Sequence, residues 1–201
     1  MALNWVHPFT AVVAGPTSYG KSSFIFKFIE FSDIVIKPPP SSIIWCYGTY
    51  QNAFNNISKQ VTFHEGVPTI DTLVDGSLLI LDDLMQETND TIVKIFTKFS
   101  HHRNISVIFL TQNLFHKAAR TITLNSHYLV LFKNPRDATQ IAHLARQMFP
   151  TKSKYMLEAF TDATREPYSY LVVDLRADTD DSARLRSGIF PDEPNYVYLS
   201  K

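Results

Sequence analysis

Eight residues near the amino terminus have the types and the spacing that chemistry on phosphate groups requires. They are Gly15-Pro16-Thr17-Ser18-Tyr19-Gly20-Lys21-Ser22, which match the pattern G-x-x-x-x-G-K-[S/T]. The glycines allow a sharp turn that aims backbone N–H groups inward, and the start of a following helix adds partial positive charge. The alternative is a glycine-rich turn with an exposed lysine. We expect this loop, together with Ser23, to bind the phosphates of a nucleotide, and ATP in particular.

Two side chains of the loop have separate expected roles. Lys21 is expected to contact the β- and γ-phosphates, and the Ser22 hydroxyl is expected to ligate Mg²⁺. The apolar residues 9–14 before the loop predict a strand, and residues 21–31 have helical periodicity. This succession of strand, loop and helix is the setting that the pattern requires. Because its residues bind phosphate, the loop is equally compatible with ATP and GTP.

Two carboxylates follow the next strongly apolar run. Asp82 and Asp83 come directly after residues 78–81 and therefore lie at the carboxyl end of a predicted buried strand. Asp82 follows the apolar residues as the acidic residue of a Walker B motif does, so it is expected to hold Mg²⁺ through water. Asp83 is the candidate for polarising the attacking water, and Glu87 competes for that role. The alternative is that both acids cap the next helix.

A third predicted strand, residues 105–110, has polar side chains near both of its ends. Gln112 follows it and is expected to sense the γ-phosphate or orient water, or else to be a plain turn amide. Arg103 enters the strand at its amino end, too far from the nucleotide of its own chain. It is therefore a candidate arginine finger for a neighbouring subunit. Arg136, which begins a helix beside Asp137, is the rival finger, and both arginines have an ordinary surface charge as their alternative.

One further set of basic residues lies on a predicted helix, residues 88–100. Lys94 and Lys98 occupy one helical face, His101 and His102 follow, and the opposite face is apolar. This basic face is compatible with DNA phosphates or with a subunit contact, although a solvated helix surface is the commoner meaning of such a pattern.

The composition limits the class of protein. The 201 residues are 45% hydrophobic and 19% charged, enough for one globular domain with a buried core. Basic and acidic residues balance at 19 each, so a contact with DNA must be local or built by oligomerisation. A single cysteine, Cys46, excludes an internal disulfide framework and fits a reducing compartment. No apolar run is long enough to span a membrane, so we expect a soluble intracellular protein.

Apolar strand-like runs alternate with segments of helical period. The predicted strands are residues 9–14, 43–47, 78–81, 105–110, 128–132 and 168–173, and the predicted helices include residues 136–149. This alternation predicts an α/β fold with a mostly parallel sheet flanked by helices. We expect residues 1–176 to form the catalytic domain and residues 177–201 an irregular arm that docks on a neighbour.

Three motifs together resemble the FtsK/HerA superfamily of DNA-pumping ATPases, in which an arginine precedes a strand that ends in glutamine. They are GPTSYGKS (15–22), LLILDDLM (78–85) and HHRNISVIFLTQN (101–113). The resemblance covers about residues 9–150. Four shorter segments look like those of the poxvirus-type genome-packaging ATPases, including the short forms in Polinton-like elements and adintoviruses. They are IWCY (44–47), LTQNLF (110–115), LNSHY (124–128) and FKNPRD (132–137). Asp83 departs from that pattern, since many relatives have glutamate there.

The resemblance implies a three-layer P-loop NTPase of RecA/ASCE-like architecture. It also implies a homo-oligomeric ring, a pentamer or hexamer, that threads double-stranded DNA into a viral capsid by hydrolysing ATP, with capsid proteins as partners. Such a protein would act in the nucleus or cytoplasm of a host cell and associate with the virion. Two other functions stay open: a nucleotide or nucleoside kinase, for which Arg184 and Arg186 are the only close arginine pair, and a nucleotide-gated interaction module.

Overall fold

The computed structural model describes residues 4–84, 90–114, 119–136 and 138–200. Within these residues the strands are β1 Trp5–Val6, β2 Thr10–Ala14, β3 Ile36–Lys37, β4 Ile43–Tyr47, β5 Thr62–Glu65, β6 Leu78–Asp82, β7 Ser106–Thr111, β8 Tyr128–Phe132, β9 Tyr170–Asp174, β10 Leu185–Ser187 and β11 Tyr196–Val197. The helices are α1 Lys21–Glu30, α2 Ser32–Val35, α3 Asp90–Lys94, α4 Ser100–His102, α5 Ala119–Leu124, α6 Ala138–Met148 and α7 Ser153–Ala163. A π-helical turn, Ile95–Phe99, joins α3 to α4.

The main sheet has the strand order β11-β10-β9-β8-β2-β7-β6-β4-β5. The strands from β8 to β5 are all parallel, whereas β9, β10 and β11 are added antiparallel at one edge. The predicted mostly parallel α/β sheet is therefore confirmed, with a mixed edge that the sequence did not predict. Every residue of β2, β6, β7 and β8 is buried, as expected for strands covered on both faces.

Helices cover both faces of this sheet. Alternate residues of each strand point to opposite faces, so Val12 of β2 belongs to one apolar cluster and Val13 to the other. The helix α1 buries its apolar side, including Phe24 and Phe28, on the Val13 face. The region α3 to α4 and the helices α6 and α7 pack on the Val12 face. Within the described residues no helix is both long and apolar enough to cross a bilayer.

The predicted boundaries differ from the observed ones mainly where strand ends are polar. The strands at 43–47 and 128–132 have the predicted bounds, and the helix predicted at 21–31 ends at Glu30. The sequence analysis missed α7 and also β5, whose residues are only half buried and carry no continuous apolar run. Cys46 is buried in β4, and burial raises the pKa of its thiol to about 12, so this cysteine stays protonated.

The carboxy-terminal segment has more structure than the expected irregular arm. The strands β10 and β11 extend the sheet beyond β9, and Ile189 and Phe190 are buried in the cluster that contains α1. The Phe190 ring lies 5.3 Å from the Phe24 ring, and Glu193 accepts hydrogen bonds from Lys27 and from the Tyr170 hydroxyl. The segment thus packs on its own chain. A boundary at residue 176 and contact with a neighbour stay predictions.

The aromatic packing beneath α1 generates the first testable expectation. Phe28 is fully buried, and its ring centroid lies 4.9 Å from that of Trp5 and 5.8 Å from that of Phe24. Phe28→Ala should lower the free energy of unfolding by about 3–5 kcal/mol, because it leaves a cavity in a packed core. Ile34→Ala, at a half-exposed position in the adjoining helix, should change it by less than about 0.5 kcal/mol in the same urea titration. Equal effects of the two substitutions would contradict this packing.

Candidate nucleotide-binding cleft

The glycine-rich loop connects β2 to α1 at the carboxyl edge of the sheet. Two close approaches explain its glycines. A side chain at position 15 would begin 2.6 Å from the Phe132 Cβ, and one at position 20 would begin 3.1 Å from the Tyr168 Cβ. Gly20 also has a φ of 105°, which few L-residues adopt. The loop is therefore held between β2, the end of β8 and the segment that precedes β9.

Lys21, the first residue of α1, is held inside this loop. Its Nζ donates hydrogen bonds to the carbonyl oxygens of Gly15, at 2.7 Å, and Pro16, at 2.9 Å. Burial lowers the pKa of the ammonium group, and the carboxylates of Asp82 and Asp83 oppose that shift. The ammonium group thus lies where a bound anion would compete with two neutral carbonyl acceptors.

Asp82 ends β6 and is 7% exposed. Its Oδ2 atom is buried and has no hydrogen-bond partner among the described residues, which is costly for a carboxylate. Burial raises its pKa to about 6, with the Asp83 carboxylate as a second cause, while Lys21 and the nearby Trp45 indole act in the opposite direction. A buried oxygen without a partner beside a lysine and a serine hydroxyl is suited to a hard cation such as Mg²⁺. The residues present therefore fit the predicted metal.

The predicted residues from separate parts of the chain meet in one cleft of about 430 Å³. The residues that line it are Thr17, Ser18, Gly20, Lys21, Ser22, Ser23, Gln51, Asp82, Asp83, Leu110, Thr111, Gln112 and Tyr168. Gly15, Pro16 and Tyr19 belong to the loop but do not line the cleft: Gly15 contacts Phe132, and Tyr19 packs against the apolar cluster under α1. Glu87, the rival base, lies outside the described residues.

Four residues of the cleft were not predicted as site residues: Leu110 and Thr111 at the end of β7, and Gln51 and Tyr168 from other segments. Gln51 follows β4, which is parallel to β6, so the rule that ligands meet the carboxyl ends of parallel strands could have identified the segment after residue 47. Tyr168 precedes the antiparallel β9, and its place beside the loop depends on a strand pairing that the sequence does not reveal.

Unusual backbone conformations concentrate at this cleft. The described non-glycine residues with positive φ are Ser18, Asp83, Asn104 and Tyr168, and all except Asn104 line the cleft. Each such conformation costs on the order of 1–3 kcal/mol for a residue with a Cβ atom. Asn104 lies in a turn, where asparagine tolerates this conformation.

The candidate fingers lie at opposite edges of the sheet. Arg103 is at the amino edge, away from its own cleft, as expected from the sequence. Its guanidinium is engaged there, with hydrogen bonds of 2.6 Å to the Asp75 carboxylate and 2.7 Å to the carbonyls of Ile70 and Leu73. Arg136 is exposed beyond the carboxyl end of β8, and its side chain forms no hydrogen bond or ion pair with any residue that the structure describes.

The basic helical face is exposed. Lys94, Lys98, His101 and His102 all lie at the surface, while Ile92, Ile95 and Phe96 of the same helical region are buried. In the described part of the chain, neither Lys94 nor Lys98 has an ion-pair partner. The predicted amphipathic pattern is therefore present, and the partner of the basic face stays open.

The mostly parallel sheet, the helices on its two faces and the loop at its carboxyl edge define an α/β fold similar to that of P-loop NTPases. Solved structures of the genome packaging NTPase B204 from Sulfolobus turreted icosahedral virus 2 share it. The B204 complex with ATP-gammaS has a TM-score of 0.59 over 90% of this chain and 96% of that chain, at 14% sequence identity. The AMP complex has a TM-score of 0.57 over the same shares, at 13% identity. No protein-family model and no curated protein matches the chain.

The raised pKa of Asp82 generates a prediction of pH dependence. The neutral carboxyl favours the folded state below about pH 4, and this contribution is lost as the pH rises towards 6, the folded-state pKa. At pH 7.5 the charged carboxylate should destabilise the nucleotide-free protein by on the order of 2–3 kcal/mol. Asp82→Asn should therefore raise the free energy of unfolding at pH 7.5 by on the order of 1–3 kcal/mol and have little effect at pH 4.

The control for this measurement is Asp71→Asn, at an exposed position. It should leave the difference between the two pH values unchanged. A loss of stability in Asp82→Asn at pH 7.5 would show that the carboxylate is stabilised in the folded state and that the inferred charge penalty is wrong.

Proposed function

We propose that this chain is an ATP hydrolase that translocates double-stranded DNA to package a viral or virus-like genome. The observation that carries the catalytic part is the convergence of the loop, Asp82, Asp83 and Gln112 on one cleft. Helices on both faces of the sheet, with polar residues at the ends of β6 and β7, support the finer assignment to the three-layer RecA/ASCE-like class.

Each residue of the cleft has a role that its position supports. Backbone N–H groups of the loop and the start of α1 bind the phosphates, and the Lys21 ammonium exchanges its carbonyl acceptors for phosphate oxygens. The Ser22 hydroxyl and the Asp82 carboxylate hold Mg²⁺, which when bound neutralises charge on the phosphates. Asp83, exposed at the rim, accepts a proton from the attacking water, with Glu87 as the rival base. Gln112 orients that water.

The motor part of the proposal rests on resemblance and fold. The three sequence motifs resemble DNA-pumping ATPases, and the fold is shared with a protein that is described as a genome packaging NTPase. Because the chain has no net charge, the contact with DNA phosphates must be local. Lys94 and Lys98 of the basic helical face, which have no ion-pair partner among the described residues, are the candidates. A pentameric or hexameric ring would place several copies of the basic face around one duplex. Capsid proteins are the implied partners, and the virion is the implied location of the assembly.

The alternative functions have less support. A kinase lid needs arginines at the nucleotide, but neither Arg184 nor Arg186 lines the cleft. The Arg184 guanidinium donates instead to the Asp181 carboxylate and to the carbonyls of Asp174 and Arg176. The Arg186 guanidinium donates to the Ala183 carbonyl. A nucleotide-gated interaction module would keep the binding residues and lack turnover, which the assay below distinguishes.

The first functional test compares ATP hydrolysis with and without duplex DNA. Lys21→Ala should lower turnover by about 100-fold or more, because a charge-stabilising donor at the phosphates is lost. Duplex DNA should stimulate the wild type. The matched control is Lys154→Ala, a lysine side chain that is 89% exposed, which should retain turnover and stimulation. Full turnover in Lys21→Ala would contradict the assigned phosphate-binding site. A wild type that duplex DNA does not stimulate would contradict DNA translocation. ATP binding without turnover in the wild type would favour the nucleotide-gated interaction module.

The second functional test concerns the finger in trans. We assign it to Arg103, whose guanidinium would exchange its three intramolecular acceptors for a neighbour's phosphate. Arg103→Ala should lower the free energy of unfolding by about 1–3 kcal/mol, because those hydrogen bonds are lost, and should also abolish turnover. Mixing it with Lys21→Ala subunits should restore part of the turnover, since some sites then have both an intact loop and an intact finger.

Arg136→Ala is the matched comparison in this mixing experiment. It should retain turnover when assayed alone. If Arg136→Ala were inactive and rescued by mixing, while Arg103→Ala showed only the loss of stability, the finger would be Arg136 and Arg103 would be a residue that holds the 70–75 segment.

A further inference from the structure

Tyr168 occupies a backbone position that favours glycine. Residues 166–169 form a tight turn in which the Ser169 N–H donates to the Glu166 carbonyl at 3.3 Å. Pro167 is the second residue of this turn, and Tyr168, with a φ of 64°, is the third. Proline followed by a positive φ is the pattern of a type II turn, whose third position is normally glycine or asparagine. The turn itself therefore gives no reason for a tyrosine.

The Tyr168 side chain also contributes nothing to the core. It is 68% exposed. Its ring packs against no other aromatic ring, and its hydroxyl forms no hydrogen bond, among the residues that the structure describes. A large aromatic side chain that disfavours its own backbone conformation and has no partner in the fold is suited to contact with something else.

Tyr168 lies on the side of the phosphate loop that is opposite to Asp82 and Gln112. In the sheet, β7 and β6 lie on one side of β2, whereas β8 and β9 lie on the other. Gln112 and Asp82, which act at the γ-phosphate in the proposed function, belong to the first side. Tyr168 immediately precedes β9 and lies against Gly20, on the second side. The phosphate chain of a bound nucleotide thus has its reacting end on one side and its nucleoside on the side of Tyr168.

We propose that the Tyr168 ring is the platform on which the nucleotide base stacks. This inference rests on the proposed nucleotide-binding function and adds the subsite for the base. Tyr168 lines the nucleotide cleft and also a second hollow of about 550 Å³, so there is open space beside the ring for a purine. Stacking uses the flat face that every base has and reads no hydrogen-bond pattern. The platform therefore strengthens the binding of ATP and GTP alike.

The test separates the base from the phosphates. Binding of ATP, GTP and inorganic triphosphate, each with Mg²⁺, is measured by titration calorimetry on the full chain. Tyr168→Asn and Tyr168→Gly remove the ring and suit the positive φ, so a loss of binding in them does not come from misfolding. Both should weaken ATP and GTP by about 5- to 150-fold, the range for loss of one stacked base, and leave triphosphate unchanged. Tyr168→Phe, which keeps the ring, should bind all three ligands as the wild type does.

The matched control is Tyr50→Asn. Tyr50 is a half-exposed tyrosine located after β4 at the same edge of the sheet, but it does not line the cleft. It should have no effect on any of the three ligands. If Tyr168→Asn and Tyr168→Gly bound ATP as tightly as the wild type, the proposed stacking of the base on Tyr168 would be wrong, and the assignment of the phosphate-binding site would be unaffected. If the wild type bound neither ATP nor triphosphate, the proposed function would fail and the platform with it.

Discussion

Burial of the parallel strands on both faces is the constraint on which the site depends. Strands covered by helices on two sides can carry only apolar side chains along their length, so the polar groups of β6 and β7 are confined to the strand ends. Parallel strands end at the same edge, which brings Asp82 and Gln112 to the loop after β2 although they are distant in sequence. The cleft is therefore a consequence of the sheet's topology and direction. The antiparallel strands β9 to β11 alter only the far edge, where they position Tyr168.

The charged side chains of Asp82 and Lys21 differ in the partners that the described residues give them. In the part of the chain that the structure describes, the buried Asp82 oxygen has no partner. Lys21 is hydrogen-bonded to carbonyl oxygens, which attract an ammonium group less strongly than phosphate does. In the proposed function, Mg²⁺ would give the Asp82 oxygen a partner, and a phosphate group would replace the carbonyl acceptors of Lys21. The raised pKa of Asp82 has the same origin, because its charged form lacks the partner that the fold does not supply. The charged form of Asp82 thus lowers stability at a residue that would hold Mg²⁺ in the proposed function.

Much of this site follows from local sequence, and the remainder depends on contacts that the sequence does not show. The loop, Asp82 and the strands at 43–47 and 128–132 were predicted, because glycine spacing and continuous apolar runs are local signals. The edge strand β5 and the three-residue strand β10 were missed, since neither has a continuous apolar run and each is defined by its pairing with another strand. The engagement of Arg103 was unpredictable for the same reason: two of its acceptors are main-chain carbonyls of the 70–75 segment, and any residue type supplies a carbonyl. Tyr168 likewise reaches the cleft through strand pairing, whereas the segment of Gln51 could have been identified from the carboxyl end of the predicted strand 43–47.

The distribution of backbone strain shows where the sequence departs from what the fold prefers. Gly20 and Asn104 have residue types that tolerate their positive φ, so neither implies a function beyond the turn it makes. Asp83 is also of a residue type that tolerates this conformation. Tyr168 is different, because glycine or asparagine would satisfy the same backbone at lower cost. Asp83 and Tyr168 each present a side chain to the cleft, a carboxylate on the β6 side of β2 and an aromatic ring on the β9 side. The described residues give the Tyr168 ring and hydroxyl no partner, and the base platform proposed for this residue would explain its unfavourable conformation.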